Sequence, residues 1–152
     1  MSRFSRRTWT RRSWPPPVEA QPTARLRKEV PIGASQQRLG RQAEEAAATW
    51  LSSRGWRVLA RRWRSASGEI DLVCLDPDGA LVGVEVKLRR STRTGGPEDA
   101  LDARRLIRLR RTLADYATQR RTPVTTLRID LVSLTPAGAA WRVARWPGVD
   151  QW

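Results

Sequence analysis

Four charged side chains that could do chemistry lie on two short apolar segments: Glu69, Asp71, Glu85 and Lys87. The segments, 68–75 and 81–87, are joined by Asp76-Pro77-Asp78-Gly79, whose residue types reverse a chain. The pattern therefore predicts a β-hairpin. In an antiparallel pair, residues directly opposite each other point to the same side of the sheet. A register that sets Asp71 opposite Glu85 also sets Glu69 opposite Lys87, and it gathers three carboxylates and one ammonium in one patch.

The faces of the first segment follow from strand alternation, because successive side chains point to opposite sides of a strand. One face is expected to carry Glu69, Asp71 and Val73. The apolar face is expected to carry Ile70, Leu72 and Cys74.

This charged patch is costly as structure alone. Like charges directly opposite each other destabilise a sheet, and buried ions need a partner or a metal. Carboxylate oxygens suit Mg²⁺, which keeps several waters and uses one or two carboxylates. We therefore predict a Mg²⁺ (or Mn²⁺) site held by Asp71 and Glu85, with Lys87 orienting or deprotonating a water or holding a phosphate. The alternative is an exposed hairpin face with a Glu69–Lys87 ion pair.

The order of these motifs resembles a known catalytic signature. An Asp at the end of one strand, then Glu-x-Lys on the next, is similar to the signature of the restriction-endonuclease-like, or PD-(D/E)xK, nuclease superfamily. The segments 68–73 and 84–87 more narrowly resemble the YraN-like family of uncharacterised, endonuclease-like bacterial proteins. Matching elements at 40–44, Gly95-Gly96 and 128–132 extend the resemblance from Arg38 to Val149.

The resemblance implies an α-β-β-β-α-β core and roles for further residues. It implies that Glu44, at the edge of the apolar stripe of the opening helix, is an outer metal ligand or holds a water. The alternative for Glu44 is an ordinary residue at the boundary of that stripe. In the same hypothesis the Val86 carbonyl completes the ligands supplied by Asp71 and Glu85, and Glu69 supports them.

Composition points to a polyanionic partner. The 152 residues include 29 Lys and Arg against 15 Asp and Glu, a net charge of +14. Lys28 and Lys87 are the only lysines, so a chain that otherwise uses arginine places a lysine at the Glu-x-Lys position. This matters because lysine, unlike arginine, can give up its proton in a reaction.

Cysteine and histidine usage excludes several classes of site. The chain has no histidine and one cysteine, Cys74, which excludes His-based triads, a disulfide framework and a zinc ligand set. Cys74 is expected to be a small core residue. A cytoplasmic location without membrane contact is expected, because no apolar run approaches the roughly 20 residues of a membrane span and the basic N-terminus lacks a signal-peptide core.

The chain divides into two parts. Residues 1–34 are rich in arginine, contain Pro15-Pro16-Pro17 and have almost no aliphatic residues, which predicts a disordered basic arm. Such an arm could add phosphate contacts, or it could be an extension without function. Residues 35–152 are expected to form the endonuclease-like domain.

Two helices and basic surfaces are predicted within that domain. The first helix runs from Ser35 or Gln36 to Arg54, and the second from Pro97 or Asp102 to Gln119, with a buried stripe that includes Ile107 alongside. Most remaining positions of the second helix are arginines, with Asp115 as their only nearby acid. We predict nucleic-acid contacts from the loop after the hairpin and from this helix: Arg89, Arg90, Arg93, Arg104, Arg105 and Arg108.

These elements predict an α/β fold in which a mixed central sheet is flanked by helices. The leading hypothesis is a Mg²⁺-dependent nuclease, or nuclease-like protein, that acts on DNA, including branched or single-stranded DNA. The alternatives are a non-catalytic nucleic-acid-binding protein on the same fold and a basic RNA-associated factor. The sequence leaves the oligomeric state open, although many such nucleases act as dimers.

Overall fold

A computed structural model describes residues 19–22, 35–90, 101–124 and 126–151 of the chain. The helices are α1 (Gln36–Ser52) and α2 (Ala103–Arg120). The strands are β1 (Glu19–Pro22), β2 (Arg57–Ser65), β3 (Gly68–Leu75), β4 (Leu81–Leu88), β5 (Leu127–Ala137) and β6 (Ala140–Trp146).

The strands form one mixed sheet of six, in the order β1-β6-β5-β4-β3-β2. Only β4 and β5 pair in parallel, and the other neighbours are antiparallel. The parallel pair needs a crossover, and α2 supplies it. The predicted α/β class and the α-β-β-β-α-β order are therefore confirmed, as α1-β2-β3-β4-α2-β5.

Helix α1 covers one face of the sheet. Ser35 caps it by accepting a hydrogen bond from the Arg38 backbone N–H at 3.4 Å, and Gly55, with φ of +81°, follows its last turn. Its alanine-rich face, with Trp50 and Leu51, is buried against apolar side chains of the inner strands, including Cys74. The prediction that Cys74 is a core residue is confirmed, and burial raises the pKa of its thiol to about 12.

Helix α2 covers the other face. Asp102 is its N-cap and accepts from the Arg105 backbone N–H at 2.6 Å. Leu109, Leu113 and Tyr116 form its buried stripe. The prediction for Ile107 is wrong, because its side chain is 51% exposed on the outer side of the helix.

The predicted hairpin register is present. Leu72 pairs with Val84 and Leu75 with Leu81, as that register requires, but the pairing stops there, so the predicted Asp71–Glu85 and Glu69–Lys87 pairs are not formed. The prediction of the faces of β3 is correct for Leu72 and Cys74, which both pack on the α1 side, and wrong for Ile70, which joins the α2-side core with Val73.

The strand alternation breaks at Asp71. The neighbouring strand is irregular at the same level, since Arg62 lies between the pairs Arg61–Leu72 and Trp63–Ile70 and has φ of +46°. A left-handed residue in a strand turns the backbone, so the side chains beyond it change faces. The β3–β4 pairing ends at the Leu72–Val84 pair, just before Asp71 and Glu85.

The predicted basic arm lies outside the described residues apart from β1. This strand, which the sequence analysis did not predict, pairs antiparallel with β6, with Glu19 opposite Arg145. The remainder of the prediction for residues 1–34 stays a prediction.

A buried ionic cluster lies on the α1 side of the sheet, around the fully buried carboxylate of Asp130. Asp130 accepts hydrogen bonds from Arg128 Nε at 2.7 Å, from Arg145 Nη1 at 2.9 Å and from the Gly148 N–H at 2.9 Å. Arg128 also contacts Asp76, in the hairpin turn, at 3.0 Å. The Arg128–Asp130 ion pair therefore belongs to a larger network that ties the turn to β5 and β6.

Candidate active site

The candidate site begins where β3 and β4 stop pairing. Beyond Leu72 and Val84 no backbone pair joins these two strands. Instead, the Val86 N–H donates to the carboxylate Oδ2 of Asp71 at 2.8 Å. The side chain of Asp71 thus takes the place of a backbone acceptor, and it lies beside the stretch of β4 that carries Glu85.

Glu85 is a buried carboxylate held by two cations. Its side chain is 2% exposed, and Lys87 Nζ lies 3.0 Å from Oε1. Arg105, from the first turn of α2, donates through Nη2 to Oε1 at 3.0 Å and to Oε2 at 2.9 Å. Burial of an ion pair stabilises a protein only when the remaining lone pairs are satisfied, and these contacts satisfy both oxygens of Glu85.

Asp71 carries a charge that is less well compensated. Within the described residues it makes no ion pair, and its carboxylate accepts from the Val86 N–H. Burial, and then repulsion by Glu85, raise the pKa of Asp71 to about 7, against the opposing effects of that hydrogen bond and of Lys87. Near neutral pH, a positive charge placed beside Asp71 and Glu85 would stabilise the ionised form.

Glu44 and Glu69 lie on the periphery of this pair. Glu44, on α1, is half-buried, and burial raises its pKa, with Glu69 and Glu85 adding repulsion. Glu69 is held by Arg62 and Arg64 on β2. The alternative of a Glu69–Lys87 ion pair is wrong, because Lys87 pairs with Glu85. Glu69 pairs instead with the arginines of β2.

The donor set fits a hard divalent cation held by Asp71 and Glu85. Within the described ranges, no three His, Cys, Asp or Glu side chains lie close enough together to hold a metal by themselves. Mg²⁺, however, keeps several waters and takes only one or two carboxylates from a protein. Two carboxylates on neighbouring strands, one of them without a cationic partner in the described part of the chain, meet that requirement.

The predicted nucleic-acid-binding arginines are placed in different ways. Arg90, Arg104 and Arg108 are exposed. Arg89 is half-buried, and its backbone N–H donates to the Leu134 carbonyl at 2.8 Å. Arg93 lies outside the described residues.

Sequence reasoning missed the acids that hold two of the α2 arginines. Arg105 binds Glu85, and Arg110 Nε lies 3.4 Å from Asp150. Asp115, predicted as the only nearby acid, accepts instead from the hydroxyls of Ser65 and Ser67. Glu85 and Asp150 are far from α2 in sequence. One feature of the sequence could have indicated an acidic partner for Arg105: this arginine occupies the first helical turn, where the helix dipole disfavours a cation.

No helix in the described part of the chain is long and apolar enough to cross a membrane.

Comparison of the sequence with known proteins assigns the chain to a family. The model of "Uncharacterised protein family UPF0102" matches residues 43–134. A UPF0102 protein of Anaeromyxobacter dehalogenans is 38% identical over 115 residues, which cover 76% of this chain and 85% of the relative. A UPF0102 protein of Paenarthrobacter aurescens is 42% identical over 100 residues, which cover 66% of this chain and 82% of the relative.

A solved structure of Pyrococcus furiosus SfsA in complex with Ca²⁺ is 14% identical to this chain, with a TM-score of 0.30. The match covers 73% of this chain and 61% of SfsA, so this chain spans less than two thirds of that protein. The family model and the sequence relatives agree with the motif resemblance, and the chain belongs to the UPF0102 (YraN-like) family.

Proposed function

We propose that this protein binds nucleic acid and is a Mg²⁺-dependent, endonuclease-like protein that hydrolyses DNA phosphodiesters in the cytoplasm. The observation that carries the proposal is the hydrogen bond from the Val86 N–H to Asp71 at 2.8 Å, which sets Asp71 beside Glu85, together with Lys87 Nζ, which lies 3.0 Å from Glu85. The net charge of +14 supports a polyanionic partner. A protein that only bound phosphates would gain nothing from two carboxylates beside its basic surface.

In this proposal each side chain has a defined task. Asp71 and Glu85 hold the Mg²⁺ or Mn²⁺ ion, which when bound polarises the phosphodiester and acidifies a water. Lys87 Nζ donates a hydrogen bond to the attacking water and offsets the negative charge that develops on the phosphate. Glu44 and Glu69 hold waters at the edge of the site.

Exposed arginines would bind the substrate backbone. Arg104 and Arg108 are one helical turn apart and point away from the core, so both can reach phosphates on the same side of α2. Arg89, Arg90 and Arg93 would add contacts from the segment after β4. Contacts of this kind carry no sequence information, and their affinity falls as salt rises.

One observation favours a second candidate, a nucleic-acid-binding protein without catalysis. Both oxygens of Glu85 are already bound by Arg105, and Lys87 also contacts Oε1. A carboxylate neutralised by protein cations can serve as a structural anchor for α2. Under this alternative, nucleic acid binds in a salt-dependent way that a chelator does not change.

The deciding experiment measures cleavage of duplex, single-stranded and branched DNA with Mg²⁺ or Mn²⁺. The variants are Asp71→Asn, which retains the size of the side chain and removes its charge, and Lys87→Gln, which removes the charge and leaves a shorter polar side chain. Asp78→Asn is the matched control, because Asp78 is exposed in the hairpin turn. Binding of each DNA is measured in EDTA, so that loss of cleavage is separated from loss of binding.

We expect metal-dependent cleavage by the wild type and by Asp78→Asn, and loss of cleavage by the two site variants with binding retained. Cleavage that persists in both site variants would show that these residues do not form the active site. DNA binding without cleavage of any of these DNA forms would support the second candidate.

A further inference from the structure

The contact between Arg105 and Glu85 links the proposed metal site to the proposed phosphate-binding surface of α2. Arg105 Nη2 lies 3.0 and 2.9 Å from the two oxygens of Glu85, the carboxylate assigned to the metal. Its own neighbours on α2 include the exposed Arg104 and Arg108, which are assigned to phosphates. Arg105 therefore contacts a proposed ligand of the cation and lies next to the proposed phosphate-binding arginines.

The position of Arg105 on α2 is unfavourable for the helix alone. It is the third residue of the helix, in the first turn, where the positive end of the helix dipole disfavours a positive side chain. The same end of a helix attracts anions such as phosphate. An arginine here is stabilised while it holds Glu85, and it would be stabilised again if its guanidinium held a phosphate.

A divalent cation and the Arg105 guanidinium compete for Glu85. The buried Glu85 carboxylate, whose side chain is 2% exposed, already pairs with two cationic side chains, Lys87 and Arg105. A divalent cation bound between Asp71 and Glu85 would add two more positive charges next to the guanidinium. Like charges at such distances repel strongly in a partly buried site, so the cation is favoured when the guanidinium has left Glu85.

The Arg105 side chain has room to leave, since it is 30% exposed at the surface. Lys87 would still neutralise Glu85, so the departure does not leave a buried carboxylate without a partner. A charged guanidinium is well suited to a phosphate, which it can bind through two parallel hydrogen bonds.

We propose that Arg105 is a positioning residue that holds the place of the divalent cation on Glu85 and exchanges that carboxylate for a substrate phosphate when the cation binds. The proposal rests on the proposed function, since it takes Asp71 and Glu85 as the cation ligands. It predicts that cation and nucleic acid bind cooperatively, because each removes the contact that competes with the other. By linkage, the two affinities change by the same factor.

The test measures the affinity of the full-length protein for Mn²⁺ without nucleic acid, from the free Mn²⁺ signal in electron paramagnetic resonance. We expect Arg105→Gln to bind Mn²⁺ more tightly than the wild type, by on the order of tenfold. Arg105→Lys retains the charge but has no fork for both oxygens, so an intermediate affinity is expected. Arg111→Gln is the control, because it removes an exposed charge from the same helix at a residue with no assigned role, and its Mn²⁺ affinity should stay at the wild-type value.

A second measurement repeats the titration with a saturating, non-hydrolysable DNA analogue. In the wild type the analogue should raise the Mn²⁺ affinity, and in Arg105→Gln this gain should be largely lost. Circular dichroism at the titration temperature verifies that each variant is folded, and Arg105→Lys keeps the test valid if Arg105→Gln is not.

The outcomes separate the exchange from the proposed function. Mn²⁺ binding that Asp71→Asn abolishes but Arg105→Gln leaves unchanged or weakens would overturn the exchange and leave the metal site standing. An absence of Asp71-dependent Mn²⁺ binding in both the wild type and Arg105→Gln would overturn the metal site, and the exchange with it.

Discussion

Replacing Asp71 by asparagine should make the metal-free protein more stable at neutral and alkaline pH. Asparagine retains an oxygen that can accept from the Val86 N–H, the contact that Asp71 makes at 2.8 Å. It removes the charge that burial and Glu85 disfavour. Removing a residue assigned to the active site is therefore predicted to stabilise the fold, as expected where function is maintained at the expense of stability.

The magnitude follows from the raised pKa of Asp71, which moves from its ordinary value of 3.8 to about 7 in the folded protein. Between these values the folded protein keeps a proton that the unfolded chain has lost. The free energy of unfolding of the wild type therefore falls as the pH rises through this interval and is level above it. Each pKa unit corresponds to about 1.4 kcal/mol. Because solvent screens part of the repulsion, we expect a loss on the order of 2–4 kcal/mol, which Asp71→Asn does not suffer.

The assay is urea unfolding followed by tryptophan fluorescence in EDTA, at pH values from about 4 to about 8. The stability of Asp71→Asn should approach that of the wild type at the acid end and exceed it by roughly 2–4 kcal/mol above pH 7. Asp78→Asn, in the exposed turn, should show no such pH-dependent difference. If Asp71→Asn differs from the wild type by the same amount at every pH, or is less stable at pH 8, the raised pKa of Asp71, which burial and Glu85 produce, is refuted.

Two further predictions concern the fold. Asp130→Asn should lower the free energy of unfolding by about 3–5 kcal/mol in urea unfolding, because Arg145 loses its carboxylate partner in a buried cluster and Arg128 keeps only Asp76. A loss below about 1 kcal/mol would contradict this view of the cluster. Gly83→Ala should cost about 1–3 kcal/mol in the same assay, since an added Cβ would lie 3.0 Å from Ile129 Cδ1 in the α2-side core. Gly40→Ala on α1, where an added Cβ meets nothing within 4 Å, should instead stabilise by about 0.5–1 kcal/mol, and equal effects at both glycines would refute the packing argument.

The hairpin could be predicted from the sequence because its information is local. The turn residues Asp76-Pro77-Asp78-Gly79 determine where the chain reverses, and this fixes the register of the two strands beyond it. The observed pairs, from Leu75–Leu81 to Leu72–Val84, follow that register. The turn therefore predicts that Asp71 lies near Glu85 and Lys87, but not the contact that Asp71 makes there, with the Val86 N–H.

The faces of β3 could not be predicted in the same way. Alternation assumes a regular strand, and β3 is regular only from Leu72 to Leu75. The break at Asp71 is shared with β2, where Arg62 adopts a left-handed conformation. Arginine has no special preference for that conformation, so nothing in the sequence of β2 marks the position.

Contacts between segments that are distant in the chain could not be predicted from the sequence either. Arg105 and Glu85 are 20 residues apart and meet because α2 packs against the sheet with its first turn above β4. The arginines of α2 are alike in type, and only their direction separates Arg105, which points inward, from the exposed Arg104 and Arg108. Helical periodicity identified the buried apolar stripe, but it did not identify which boundary arginine would find an acid.

The hydrogen bond from the Val86 N–H to Asp71 has a consequence for spectroscopy. Its acceptor is an ionisable side chain, whereas ladder amides donate to peptide carbonyls with no charge to gain or lose. The resonance of this one backbone proton should therefore follow the ionisation of Asp71, and it should respond again when a cation draws electron density from the same carboxylate. Nuclear magnetic resonance of the Val86 amide would thus provide a native reporter of the candidate site, with no label attached to the residues under study.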